Sequence, residues 1–158
     1  MILTLAAVGR LKDKDPEQAL TRDWIGRAEQ LGRGMGIRPV RLLEIEHKGT
    51  GPDPDREAAL LMSAVTGGAQ LWLLDERGDN PGSVGFANLI ATARDRSVGE
   101  VVIAIGGADG HGRVVRDHAV RTLAFGAWTW PHRLVRAMAA EQIYRGLTIL
   151  AGTPYHRA

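Results

Sequence analysis

The chain has 158 residues, 44% of them hydrophobic and 24% charged, and it contains no cysteine. That is the size and composition of one globular domain, which argues against wholesale disorder and excludes a disulfide framework, a thiolate metal site and a cysteine nucleophile. The net charge of +2 hides a division: residues 1–112 hold 13 basic and 16 acidic side chains, residues 113–158 hold 7 and 2. All seven of those late cations are arginine, and lysine occurs only at 12, 14 and 48. A basic C-terminal third points to a polyanionic partner, and arginine suits bidentate contact with phosphate.

No apolar run approaches the roughly 20 residues that span a bilayer. The opening Met1–Gly9 has no basic leader and reads as a buried strand rather than a secretory segment. A soluble, cytoplasmic protein with no membrane partner is expected.

Short β-rich runs bounded by glycine alternate with longer segments of helical period. In chain order the pattern predicts a strand at Ile2–Val8, then a helix over 15–33 with Pro16 at its start and Gly32 and Gly34 at its close. A strand at Arg38–Glu46 and a helix over 54–66, opened by Asp53-Pro54, follow. Next come a strand at Gln70–Asp75, a helix over 82–96 and a strand at Glu100–Ile105. A short helix over 112–118, a short strand at Arg121–Phe125 and a helix over 131–147 complete the order. No repeat or linker divides the chain, so residues 1–158 are expected to form a single domain. The alternation predicts an α/β fold, a parallel sheet covered by helices on both faces.

In such a sheet, ligands sit beyond the carboxyl ends of the strands. Three segments qualify: Leu74–Gly78, Ile105–Gly110 and Phe125–His132. Ile105-Gly106-Gly107-Ala108-Asp109-Gly110 matches neither the dinucleotide fingerprint nor the P-loop. A bare backbone there serves either a tight turn or the close approach of an adenine or ribose. Asp75 and Glu76 make a weak acid–base pair, and Asp109 reads as a turn residue. The five histidines show no metal-ligand spacing, so no metal is expected, and no serine sits in a Gly-x-Ser-x-Gly frame.

On the last helix Leu134, Val135, Met138, Gln142 and Ile143 share a stripe, either a dimer face or a surface buried within one subunit, while Arg133, Arg136 and Arg145 lie elsewhere as solvated cations. Glu141 and Arg145 are spaced i and i+4, which can orient an arginine. The terminal Pro154-Tyr155-His156-Arg157 is unlike a frayed end and suits base stacking, phosphate contact and proton transfer.

Taken in order, strand–Leu74-Asp75, Val102–Gly110, Thr129-Trp130-Pro131-His132-Arg133-Leu134-Val135-Arg136, Glu141–Gly146 and Pro154–Arg157 resemble the ribosomal RNA large-subunit methyltransferase H family of the SPOUT superfamily. The resemblance covers the whole chain. It implies an α/β sheet whose C-terminal part threads a deep trefoil knot, an exception to the rule against knots. It further implies a homodimer that uses S-adenosylmethionine to methylate N3 of a pseudouridine in 23S rRNA of the assembled ribosome. The implied cofactor contacts are Leu74, Gly106, Phe125, Gly126, Ala127, Trp128, Thr129 and Trp130. The implied substrate-side catalytic residues are Arg145, Tyr155, His156 and Arg157, with Glu141 and His132 in support. Two departures stand out. Gly126-Ala127-Trp128-Thr129 replaces the family's usual Ser-x-Met-Thr, and Gly78-Asp79 replaces its Gly-Lys. The alternatives are a non-catalytic RNA-binding α/β module and a small nucleotide-binding enzyme using Gly106–Gly110 for phosphate. Both leave the Thr-Trp-Pro-His stretch unexplained.

Overall fold

The computed structural model describes residues 1–157. Strands β1 (Ile2–Val8), β2 (Val40–Ile45), β3 (Gln70–Asp79), β4 (Glu100–Ile105) and β5 (Ala119–Leu123) form one sheet. Every pairing is parallel, in the order β2-β1-β4-β3-β5. Helices α1 (Pro16–Gly32), α2 (Pro54–Ala64), α3 (Gly82–Asp95), α4 (Arg113–Asp117) and α5 (His132–Leu150) provide the connections. A 3-10 turn at Arg33–Met35 ends α1.

Side chains alternate across a strand, and here both faces are buried. On one face Leu3, Leu5, Trp72, Val101 and Ile103 pack with residues of α1, α3 and α5. On the other, Ala6, Leu71, Leu73, Val102 and Ala104 pack with Leu61 of α2 and Val115 of α4. That double coverage is why β1 and β4 read as unbroken apolar runs, and all six residues of β4 are buried. Each large aliphatic side chain so placed contributes about 1.5–3 kcal/mol relative to exposure.

The elements follow the sequence pattern, with shifts at their ends. Regular pairing of β2 starts at Val40 rather than Arg38, because Pro39 has no amide hydrogen to enter the ladder. β3 runs on past Asp75, and after an irregularity Asp79 pairs with Leu123. β5 stops at Leu123, which leaves Phe125 in the following loop.

The solvated role expected for Arg136 is corrected. It is completely buried, donating to Glu44 at 2.7 Å and to the carbonyls of Gly9 and Val8 at 2.8 and 3.2 Å. The carboxyl end of β1 leaves those carbonyls without ladder partners, and a guanidinium satisfies several at once. The inward face of α5 instead includes Ala137, Ala140, Ile143, Gly146 and Leu147, and its alanines and glycine let α1 and α3 approach closely. Leu134 remains exposed, and Val135, Met138 and Gln142 are half-buried.

Candidate active site

The three strand-end segments converge. Leu74–Arg77, Ile105–His111 and the loop from Leu123 to Trp130 line one open cleft of about 560 Å³, with His132 and Val135 of α5 closing its side. An apolar alcove of about 210 Å³ between α3 and α5 adjoins it, sharing Leu74, Leu123, Ala124 and Phe125. Seven of the eight expected cofactor residues line the cleft: Leu74, Gly106, Phe125, Gly126, Trp128, Thr129 and Trp130. Ala127 belongs to the same loop but is exposed outside the lining.

Local chemistry fixes these walls. Gly106 packs against the turn it opens, where a Cβ would stand 2.6 Å from the Gly110 carbonyl carbon. Gly110 itself has φ +80°, a conformation that L side chains rarely adopt. His111 is buried beside that turn and its Nε2 donates to the Leu74 carbonyl at 3.0 Å, tying the β4 loop to the end of β3. Burial pushes the His111 ring's pKa down, against the opposing pull of that carbonyl. Arg116 donates to the His111 carbonyl. Thr129 Oγ1 donates to Glu76 at 3.2 Å, linking the third wall to the first. His132 has a lowered pKa, first through burial and then through the neighbouring Arg136 charge.

The cleft suits S-adenosylmethionine on three observations. Trp130 Nε1 and His132 Nε2 are buried without a partner in its wall. Asp75, Glu76 and Asp109 set carboxylates around it, as a sulfonium and an ammonium require. Gly106 keeps one wall as bare backbone. His111 and Arg116 were not singled out from sequence. His111 follows the glycine turn directly, which is the one signal that could have found it.

The tail residues form a separate cluster. Glu141 accepts from Arg145 Nε at 2.9 Å and from the Tyr155 hydroxyl at 2.9 Å. Arg145 also lies over the Tyr155 ring, 4.8 Å from its centroid, and donates to His156 Nδ1 at 3.4 Å. Tyr155 packs edge-on against Tyr144 and near Trp24 of α1. Burial, then the Glu141 carboxylate, raises the pKa of Tyr155, and Glu141 raises that of Arg145. Arg157 is exposed. This cluster does not meet the cleft within the chain. α5 starts beside Gly106, and at about 1.5 Å per residue the path from His132 to Arg145 covers roughly 20 Å.

A parallel sheet of this kind, with a glycine-walled cleft beyond its strand ends, defines an α/β enzyme built to hold a nucleoside-containing cofactor. The family model described as "Predicted SPOUT methyltransferase" matches residues 1–156. The chain belongs to the SPOUT methyltransferase family. It is 49% identical over 158 residues to a ribosomal RNA large subunit methyltransferase H from Hyphomonas neptunium, covering 100% of both chains. It is 50% identical over 157 residues to the protein of that name from Cereibacter sphaeroides, covering 99% of both. A SpoU methyltransferase, AviRb from Streptomyces viridochromogenes in complex with AdoMet, is a distant solved neighbour at 13% identity and a TM-score of 0.42. The match covers 96% of this chain and 61% of that one.

Proposed function

We propose that this chain is an S-adenosylmethionine-dependent methyltransferase acting on N3 of a pseudouridine in 23S rRNA of the assembled ribosome. The observation that carries the reading is the cleft, where seven of the eight residues implied for the cofactor line one cavity. The full-length relatives named for ribosomal RNA large subunit methylation support the substrate class, and a cytoplasmic location follows from it. No helix among the described residues is long and apolar enough to cross a membrane.

Bound in the cleft, the cofactor supplies an electrophilic methyl group on a sulfonium. Leu74, Phe125 and the Gly106 backbone orient it, with Trp130 Nε1 as a donor and His132 Nε2 as an unpartnered ring nitrogen for its polar groups. Alignment is the larger part of catalysis for an in-line displacement. The acceptor is an imide nitrogen whose N–H must be lost. In this assignment the His156 imidazole takes that proton, and Arg145 or Arg157 stabilises the developing anion on the imide oxygens. Tyr155 stacks against the base.

The enzyme acts as a homodimer in which the tail of one subunit completes the cleft of the other. The roughly 20 Å between cleft and tail within one subunit supports this arrangement. So do Trp128, 75% exposed at the cleft edge, and the incompletely buried Leu134, Val135 and Met138. The trefoil knot belongs to the same reading: residues 124–131 lead from the edge strand β5 across the ends of β3 and β4 to α5. The test is titration of the protein with S-adenosylmethionine, followed by methyl transfer to ribosomes lacking the modification. Binding and one methyl group per ribosome at the pseudouridine N3 are expected. RNA binding without cofactor binding would sink the reading and favour the non-catalytic module, and cofactor binding without transfer would sink the ribosomal substrate.

A further inference from the structure

Beside the cleft, where β1 ends and α5 begins, lies a second groove of about 380 Å³. Its lining holds five cations, Arg10, Lys12, Lys14, Arg133 and Arg136, against one carboxylate, Asp15. His132 lines both the groove and the cleft, so the two are continuous. Most of this charge is absent from the basic C-terminal third, and two of the chain's three lysines are gathered here.

The neighbouring acids are already engaged. Asp13 pairs with Arg22 at 2.7 Å, Asp15 pairs with Arg133 and accepts from the Lys12 amide at 2.8 Å, and Glu44 pairs with Arg136 at 2.7 Å. Arg10, Lys12 and Lys14 are exposed and take no ion pair among the described residues. Arg136 is fixed in the wall, wholly buried, and its Nε has no partner. An unsatisfied buried guanidinium N–H costs stability unless a ligand or water reaches it. Three free cations over a fixed one make a surface for repeated negative charge, continuous with the place where a nucleobase would be methylated.

We propose that this groove docks the RNA phosphodiester backbone flanking the target nucleotide, with Arg10, Lys12 and Lys14 contacting phosphates and Arg136 forming the fixed wall. The inference rests on the RNA methyltransferase reading and deepens it. The groove positions the strand and the cleft selects the base.

The experiment measures the KM for unmethylated ribosomes between 50 and 200 mM KCl, with Lys12→Ala/Lys14→Ala beside the wild type. Each phosphate contact contributes about 0.7–0.9 to the slope of log affinity against log salt, so removing two lowers the slope by about 1.6. Extrapolated from 1 M, that is about a twenty-fold rise in KM at 0.15 M salt. The kcat and the S-adenosylmethionine affinity should stay at wild-type values. Arg96→Ala, an exposed charge at the opposite end of the sheet, should change nothing. A KM within two-fold of wild type, an equal effect from Arg96→Ala, or a parallel loss of cofactor affinity would overturn the groove assignment while leaving the enzyme's function intact. A wild-type chain that transfers no methyl group to ribosomes would instead overturn the functional reading, and the groove with it.

Discussion

Glu141 is the acceptor on which the C-terminal tail folds back, so replacing it tests whether a held tail is needed for methyl transfer. Its carboxylate takes two hydrogen bonds from Arg145 and one from the Tyr155 hydroxyl at 2.9 Å. As an i,i+4 partner of Arg145 it adds only about 0.3–0.5 kcal/mol to the helix, so Glu141→Ala should fold normally. The tail loses more. A hydrogen bond to a charged group is worth about 1.5–3 kcal/mol net, so losing the Tyr155 contact lowers the equilibrium constant for docking the tail by a factor of roughly 10 to 100. Single-turnover methylation at saturating ribosome and cofactor should fall, by up to that factor, whereas titration with S-adenosylmethionine should show unchanged affinity. Glu141→Gln, which keeps an acceptor, should lie between. Glu141 acts through Arg145 and Tyr155, so it is a positioning residue. Wild-type turnover in Glu141→Ala would refute the role of the ordered tail, and loss of cofactor binding would show that the cluster and the cleft are not separate.

Four other outcomes are expected. Gly106→Val places side-chain atoms against the Gly110 backbone, 2.6 Å from its carbonyl carbon already at Cβ, and calorimetry should show at least a ten-fold loss of S-adenosylmethionine affinity; binding within two-fold would remove Gly106 from the cofactor wall. His156→Ala should slow single-turnover transfer by about 10²–10⁴ if the ring takes the imide proton, and an unchanged rate ends the base assignment. In the proposed dimer, Trp128→Ala should cost about 2 kcal/mol per subunit, or roughly a thousand-fold in dimer Kd, as read by sedimentation velocity. The fourth concerns the amino ends of the strands, where Glu100 is buried and accepts from Thr4, Thr66 and Arg41. Burial alone would raise its pKa, but these hydrogen bonds outweigh it and hold the carboxyl at about 2 against an ordinary 4.5. A lowered folded-state pKa gives stability that is complete above the ordinary value and lost as pH falls through the folded one. Glu100→Gln should therefore cost about 2–3 kcal/mol in urea unfolding at pH 7, and the gap should close between pH 4.5 and pH 2. A gap that stays constant with pH would refute the charged network.

Much of this molecule is legible without coordinates because its signals are local. The apolar runs at Ile2–Val8 and Glu100–Ile105 read as buried strands, and glycine and proline mark where helices begin and stop. The strand-end rule then selected all three cleft walls before any distance was known. Tertiary structure decided what depends on residues far apart in sequence. Arg136 reads as a solvated cation on a helical wheel, and only the convergence of β1, β2 and α5 buries it on Glu44 and two strand-end carbonyls. His111 enters the cleft because β3 and β4 are neighbours, a pairing that no spacing encodes. The cation groove joins Lys12 and Lys14 to Arg133 across some 120 positions of chain, whereas charge counted over residues 1–112 and 113–158 places the basic excess in the C-terminal third. Local patterning determines which elements form, while the burial of polar and charged groups is settled by which elements the packed core brings together.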